Sequence, residues 1–152
     1  MPELKIMNNK EIKEIYKLIE HQWGAKLKLD YGFLENSKKR IFVISKDIAK
    51  IDTSKLRLNS AGMYFCETDS KGIRLSIEGS QIIGAKAAKN VVELNDDEAR
   101  KWFKGEDLEK ECKDCSGFLI IKHKNDFFGT GKYSNGKIMN YVGKSRRLNI
   151  QI

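Results

Sequence analysis

The sequence contains few of the residue types that usually build a catalytic or metal site. It has three cysteines and two histidines, and the histidines, His21 and His123, stand alone in sequence. Neither a Gly-Lys-Ser/Thr phosphate-binding loop nor a paired-histidine metal motif occurs. We therefore expect no enzymatic activity, no cofactor and no bound metal ion.

Long apolar runs are also missing. No stretch approaches the roughly 20 apolar residues that span a bilayer, and the N-terminal Met-Pro-Glu-Leu-Lys lacks the apolar segment of a secretion signal. These absences predict a cytoplasmic protein with no membrane partner. Neither an internal repeat nor a low-complexity segment is present, and 152 residues suffice for one domain or two small ones.

The cysteines offer little support for metal or redox chemistry. Cys112 and Cys115 form one isolated Cys-x-x-Cys pair, whereas Cys66 lies in an apolar run. A single pair cannot supply the four ligands of a structural zinc ion. The pair also follows a predicted helix and precedes a strand, which is not the thioredoxin-like order. We expect reduced thiols. The hypothesis of a small hydrolase or redox protein rests on this pair alone.

Positive charge is abundant and unevenly placed. The formal net charge is +8, yet residues 93–114 hold nine acids against five bases. Residues 115–152 hold seven Lys or Arg and a single acid, Asp126. A concentrated cationic surface attracts polyanions, and basic strands interrupted by glycine are typical of nucleic-acid binding. This pattern favours RNA as the partner.

The first half of the chain is predicted to be α+β. Apolar residues recur at helical spacing over residues 9–23 and predict a helix that ends near Gly24. Arg40–Ser45 and residues 62–67 have strand composition, as do residues 56–58, and Ser45 is the expected cap of a short helix through Ile51. A cluster of turn residues from Thr68 to Gly72 predicts a hinge or hairpin, and we place a domain boundary near Asp69.

The second half is predicted to contain two capped helices among strands. Ser76 and Asn95 are the expected N-caps of helices that end near Gly84 and Gly105. Asn135-Gly136 predicts a tight hairpin between the last two strands. Strand composition occurs at residues 73–76, 90–94, 118–122, 127–133 and 137–142. Because the alternation of strand and helix stops halfway, a small mixed barrel with flanking helices fits better than a doubly wound sheet.

Three phrases in the second half resemble a known family. They are Gly-Ile-Arg-Leu-Ser-Ile-Glu-Gly-Ser-Gln-Ile-Ile-Gly from Gly72, Val-Val-Glu-Leu-Asn-Asp-Asp-Glu-Ala-Arg-Lys-Trp-Phe-Lys-Gly-Glu-Asp-Leu from Val91, and Phe-Phe-Gly-Thr-Gly-Lys from Phe127. Residues 72–148 resemble a PUA domain, the RNA-binding pseudo-barrel of pseudouridine synthases and archaeosine transglycosylases. The likeness is greatest to the version associated with archaeal Sun-type RNA cytosine-5 methyltransferases.

The resemblance implies an α+β protein with two parts. Residues 1–70 look like the small α+β module that often precedes PUA domains, and residues 71–152 would form a PUA-type mixed β pseudo-barrel with flanking helices. The RNA surface would lie on the first helix of the PUA domain, its trailing loop and the last strands. The residues expected to bind RNA are Arg74, Gly79, Ser80, Lys86, Lys89, Gly129, Gly131, Lys132, Tyr133, Lys144, Arg146 and Arg147.

Each type of residue in this set has a physical reason to meet RNA and a structural alternative. Lys and Arg neutralise phosphate, glycines let an RNA backbone approach main-chain N–H groups, and Tyr133 would stack a base. Alternatively, Gly129 and Gly131 relieve crowding at a barrel bend, Gly84 stops a helix, and Tyr133 and Tyr141 pack against neighbouring strands.

Two functions remain open at this stage. The first is an RNA-binding accessory protein that recognises structured tRNA or rRNA in RNA modification or ribosome biogenesis and assists a separate RNA methyltransferase. The second is a protein-interaction subunit, in which residues 1–70 dock an RNA-modification or ribosome-assembly partner and the RNA affinity is small. One continuous face of Lys and Arg would favour the first.

Overall fold

The computed structural model describes residues 4–45, 62–70 and 72–141. Within these residues the chain forms two five-stranded sheets. The strands of the first sheet are Lys5–Ile6 (β1), Tyr31–Glu35 (β2), Arg40–Ser45 (β3), Met63–Asp69 (β4) and Gly72–Leu75 (β5). The strands of the second sheet are Val91–Glu93 (β6), Leu108–Glu109 (β7), Gly117–His123 (β8), Asp126–Ser134 (β9) and Lys137–Asn140 (β10).

The two sheets differ in how their strands pair. The first sheet has the order β1-β2-β3-β4-β5 and is antiparallel at every described pairing. The second has the order β6-β8-β9-β10-β7, in which β6 runs parallel to β8 and the other pairs are antiparallel. This mixed second sheet curls into a half-barrel. The fold class is therefore α+β with a small mixed barrel, as the sequence predicted.

Local capping determines where the helices begin. Asn9–Trp23 (α1) starts at a capping box formed by Asn8 and Glu11 and ends at Gly24, whose φ of 67° suits a residue without a Cβ. Ile77–Gly84 (α2) is capped by the Ser76 side chain, and Asp96–Phe103 (α3) starts at a capping box of Asn95 and Glu98. Three of the four predicted helices and the predicted caps Ser76 and Asn95 are confirmed.

The turns also follow the sequence closely. Asn135 and Gly136 both have positive φ, at 48° and 79°, and connect β9 to β10 as a tight hairpin. Asp69 pairs with Gly72, so the predicted turn cluster joins β4 to β5 as a hairpin. β1, β2 and β7 were not predicted. The helix expected through Ile51 and the strand expected at residues 56–58 lie outside the described residues.

Two hydrophobic cores lie on opposite faces of the second sheet. Side chains alternate along β8, so Phe118 and Ile120 enter the first core while Leu119 and Ile121 enter the second. The first core also contains α1 and the inner face of the first sheet, including Trp23 and Phe65. The division into modules 1–70 and 71–152 stays a prediction, and the contacts of this shared core and of the β4–β5 hairpin cross it.

Candidate nucleic-acid interface

The loop that follows α2 is held in place by the end of α1. The main-chain carbonyl of Trp23 accepts hydrogen bonds from the N–H groups of Ala88 and Lys89, at 2.8 and 3.2 Å. Asn90 has a φ of 55°, and its buried side chain donates to the Gln22 carbonyl at 2.6 Å. The loop is thus fixed, while the predicted RNA-binding residues Lys86 and Lys89 remain exposed on it.

Beside this loop lies a cleft of about 290 Å³. Its lining comprises small residues, two lysines and one aromatic ring: Gly84, Ala87, Ala88, Lys89, Asn90, Val91, Lys122 and Phe127. The Lys122 ammonium lies 5.8 Å from the centre of the Phe127 ring. Among the residues that the structure describes, no carboxylate lines the cleft, although Glu93 neighbours Lys122 on the adjacent strand. Such a lining suits a planar, anionic group.

Four predicted site residues lie inside the fold instead of at the surface. Gly79, Ser80, Gly129 and Gly131 are all buried. The Ser80 hydroxyl donates to the Ile77 carbonyl at 2.6 Å and accepts from the Gly129 N–H at 2.7 Å. Neither of these groups is therefore available to a ligand in this structure. Ser80 and Gly129 join α2 to β9, whereas a Cβ at Gly79 would overlap the Phe65 carbonyl of β4.

Close packing against aromatic rings requires glycine at positions 84 and 131. A Cβ at Gly84 would overlap the Phe127 ring, and one at Gly131 would overlap the Trp102 ring. Gly84 is the last helical residue but has no positive φ, and α2 ends in right-handed backbone at Ala85. The helix ends at Gly84 as predicted, but the requirement for glycine comes from the neighbouring ring and not from a left-handed backbone.

Arg74 and Lys132 belong to a second cationic group. The Arg74 guanidinium lies 2.5 Å from Glu67 Oε2 and 5.0 Å from the centre of the Tyr141 ring. Burial alone would lower the pKa of Arg74, but hydrogen bonding and charge from Glu67 outweigh it and raise that pKa. Lys132 lies 4.8 Å from the centre of the Phe118 ring. The sequence predicts that Tyr141 packs against neighbouring strands. The contact with Arg74, which the sequence does not predict, places its ring beside a cation.

Tyr133 lies on the other face of the second sheet from Lys132. Its ring packs against the second core. Its hydroxyl donates to Glu111 Oε2 at 3.3 Å and accepts from the Cys112 N–H at 3.2 Å. The structure therefore separates Tyr133 from Arg74 and Lys132. The remaining predicted bases, Lys144, Arg146 and Arg147, lie outside the described residues.

Two further expectations need correction. Cys112 and Cys115 are joined by a disulfide, because the intervening turn, with Asp114 at a φ of 63°, brings their Cα atoms to 5.5 Å. The expectation of reduced thiols is wrong here. His123 alternates with Lys122 and Lys124 at the end of a predicted strand, which predicts exposure. Its side chain is only 20% exposed, and its Nε2 lies 2.8 Å from Asp96 Oδ1. The two residues are 27 positions apart, so local sequence patterns do not predict this contact.

Two general properties of the described residues bear on the type of site. In residues 4–45, 62–70 and 72–141, no group of three or more His, Cys, Asp or Glu side chains is arranged to hold a metal ion. In the same part of the chain, no helix has the length and apolar character needed to cross a membrane.

Comparison with known proteins identifies the class of the second half. Residues 89–148 match the model of a family described as "Methyltransferase RsmF PUA domain". This segment begins at Lys89 in the cleft and contains β6 to β10. Residues 89–148 are therefore related to the PUA-type domain of the Sun-type family, and the predicted resemblance is confirmed over these residues.

Several curated relatives are similar to this chain. The ribosomal RNA small subunit methyltransferase F of Aeromonas salmonicida is 34% identical over 86 residues, which are 57% of this chain and 18% of that protein. The same-named protein of Vibrio cholerae is 30% identical over an equal span. That of Aeromonas hydrophila is 28% identical over 131 residues, 86% of this chain and 27% of the relative. The chain thus spans about a fifth to a quarter of these proteins' length.

Proposed function

We propose that this protein binds structured RNA, ribosomal or transfer, through its PUA-type domain and acts as a non-catalytic accessory in RNA modification or ribosome biogenesis. The observation that carries the proposal is the cleft lined by Lys89, Lys122 and the Phe127 ring, which has no carboxylate among its described lining residues. The relatives are named as ribosomal RNA methyltransferases, which supports rRNA and a separate RNA methyltransferase as the functional context. We also propose a cytoplasmic location, because the relatives are named as ribosomal RNA methyltransferases.

The geometry suggests how an RNA would be held. Lys89 and Lys122 would neutralise phosphates at the cleft, Lys86 would add charge on the same loop, and the Phe127 ring offers a surface for an unpaired base. The acids of α3 lie over the opposite face of the second sheet, where Trp102 and Leu119 form the second core. This separation of charge would orient an approaching polyanion toward the cleft.

The bases that follow Tyr141 in sequence would extend the same attraction. Lys144, Arg146 and Arg147 have no acid after Asp126 with which to pair locally. Replacing all three by Ala would weaken RNA binding and lower the salt dependence by up to about three charge equivalents.

A salt-dependent binding measurement tests the proposal. Fluorescence anisotropy with a labelled rRNA hairpin should give an affinity of micromolar order that falls steeply with salt. The double variant Lys89→Gln, Lys122→Gln should bind about tenfold more weakly at low salt, with a slope reduced by about two charge equivalents. The matched control is Lys101→Gln, Lys104→Gln, two exposed bases in and after α3.

Three results would contradict the proposal. They are RNA binding that does not respond to salt, equal losses in the cleft double variant and the α3 control, and no RNA binding by the unaltered protein. The last result would favour the alternative, a protein-interaction subunit that docks a methyltransferase or ribosome-assembly partner.

A further inference from the structure

We propose that the RNA-binding surface continues from the PUA-type domain onto the outer face of the first sheet, where it takes a single-stranded segment of RNA. This inference rests on the proposed function and extends it to residues 1–70. The surface is a series of neighbouring side chains that combines three cations, three aromatic rings and one carboxylate, here called the cation–aromatic row. Its members are Arg40, Tyr64, Glu67, Arg74, Tyr141, Phe118 and Lys132.

The row begins on three neighbouring strands of the first sheet. Arg40 on β3 pairs in register with Glu67 on β4, which pairs in turn with Arg74 on β5. Directly opposed residues point to the same face of a sheet, so the three side chains form a line across it. Glu67 Oε2 lies 4.0 Å from Arg40 Nε and 2.5 Å from an Arg74 nitrogen. One carboxylate therefore binds the Arg74 guanidinium and lies within ion-pair distance of the Arg40 guanidinium.

This line lies on the face of the first sheet that points away from α1. The neighbours of Arg40 and Arg74 along their strands, Ile41 and Ile73, point into the first core with α1. Arg40 also lies 6.0 Å from the centre of the Tyr64 ring, whose hydroxyl donates to Glu67 Oε2 at 3.2 Å. Half of the Arg40 side chain is exposed, at 50%. The first sheet thus presents a cation and a ring together at its outer surface.

The row then crosses to the PUA-type domain through Tyr141. The Arg74 guanidinium lies 5.0 Å from the Tyr141 ring centre, Tyr141 lies 5.7 Å from the Phe118 ring centre, and Lys132 lies 4.8 Å from that ring. Tyr141 is 37% exposed although it is a large aromatic residue. Arg74 is therefore the residue that joins the cations of the first sheet to those of the second.

The composition of the row indicates a single strand as its ligand. Three cations against one carboxylate leave a net charge of +2, which attracts phosphate. The exposed Tyr141 ring and the guanidinium planes can stack on bases, whose faces are accessible only when the bases are unpaired. The buried Phe118 ring belongs to the first core and supports Tyr141 and Lys132 from below. The row extends on the order of 20 Å, a length that fits a short overhang beside a helix better than a single nucleotide.

Two RNA probes separate this inference from the proposed function. The first is a blunt rRNA hairpin, and the second is the same hairpin with a single-stranded 3′ or 5′ extension of about eight nucleotides. The unaltered protein should bind the better of the extended probes about tenfold more tightly than the blunt one. Arg40→Gln should remove about threefold of this gain, and Tyr141→Leu about tenfold, while both variants bind the blunt hairpin normally.

Controls distinguish a binding role from a structural one. Tyr141→Phe keeps the ring and should retain the gain, even though Tyr141→Leu loses it. Lys17→Gln removes an exposed, ion-paired base of α1 and should bind both probes like the unaltered protein. Arg40→Gln supplies an independent test if Tyr141→Leu folds poorly, because Arg40 lies at the surface end of the row.

The inference is overturned if neither extension improves the affinity while the blunt hairpin still binds. It is also overturned if Arg40→Gln weakens both probes equally, because the row would then not recognise the single strand. In either case the proposed function would still be tested independently by the cleft double variant Lys89→Gln, Lys122→Gln. Loss of all RNA binding in the unaltered protein would overturn both.

Discussion

The side-chain amide of Asn90 donates a hydrogen bond to the main-chain carbonyl of Gln22 at 2.6 Å, across 68 positions of sequence. The Asn90 side-chain oxygen accepts from the Ser116 N–H at 3.0 Å, and its main-chain carbonyl accepts from Ile120 at 2.8 Å. One buried asparagine therefore connects the end of α1, the cleft loop and β8. The position of the two loop lysines depends on the N-terminal half of the chain.

Replacing Asn90 by Ala should lower the free energy of unfolding by about 1–3 kcal/mol, because the Gln22 carbonyl and the Ser116 N–H lose buried partners. RNA affinity should fall as well, since Lys86 and Lys89 would no longer be held. Urea denaturation and anisotropy measure the two effects. The matched control is Asn135→Ala, an exposed asparagine that shares the positive φ. Equal losses in both variants would contradict the connecting role of Asn90.

Gly84→Ala should lower the free energy of unfolding by about 1–3 kcal/mol, because the added methyl group would overlap the Phe127 ring. Phe127→Leu should relieve part of this cost by replacing the ring with a smaller side chain. A double-mutant cycle in urea measures the coupling directly. Strictly additive effects would show that the ring is not the reason for glycine at this position.

Glu98 should make stability depend on acid pH. Burial raises the pKa of Glu98, but hydrogen bonds from the Asn95 N–H and the Lys110 ammonium outweigh it, so the pKa lies below its usual 4.5. The stabilising contribution is therefore present above pH 4.5 and is lost as the pH falls through the lowered pKa.

Glu98→Gln should accordingly reduce the free energy of unfolding by about 1 kcal/mol at neutral pH, and the difference should shrink toward zero in acid. Chemical denaturation over a series of pH values measures this. Glu106→Gln, at an exposed carboxylate just beyond α3, is the control and should show little effect at any pH. A Glu98→Gln deficit that persists in acid would assign its effect to shape instead of charge.

The double variant Cys112→Ser, Cys115→Ser should leave RNA affinity within about twofold of the unaltered protein, because the pair packs beside Tyr133, away from the cleft. Its free energy of unfolding should fall by at most about 2 kcal/mol, since the closed loop is very short. A much larger loss of affinity would link this pair to the RNA surface.

Local patterns in the sequence were enough to predict α1, α2 and α3, the caps Ser76 and Asn95 and the Asn135-Gly136 hairpin, because each depends on residues a few positions apart. The order of strands and helices predicted a small mixed barrel, and three short sequence motifs predicted its resemblance to a PUA domain. Contacts between distant residues were not predictable in this way. The burial of Ser80, the ring that excludes a Cβ at Gly84 and the stacking of Arg74 on Tyr141 each join segments that are far apart in sequence.

The pairing of Cys112 with Cys115 illustrates a different limit. Their spacing was visible, but whether two such thiols meet depends on the backbone angles of the intervening turn. The short strand β2 was missed because its five residues include a glycine and carry no clear alternation. Its strand conformation depends on pairing with β3, which the sequence of β2 alone does not show.

The chain contains two tryptophans, and each core encloses one of them. Trp23 is fully buried in the first core, where its indole N–H donates to the Phe118 carbonyl at 3.0 Å, and Trp102 is fully buried in the second. Trp102→Phe would leave intrinsic fluorescence that reports on the first core, and Trp23→Phe would leave fluorescence from the second. The protein therefore carries its own pair of optical probes, with which melting on either side of β8 can be followed separately without an added dye.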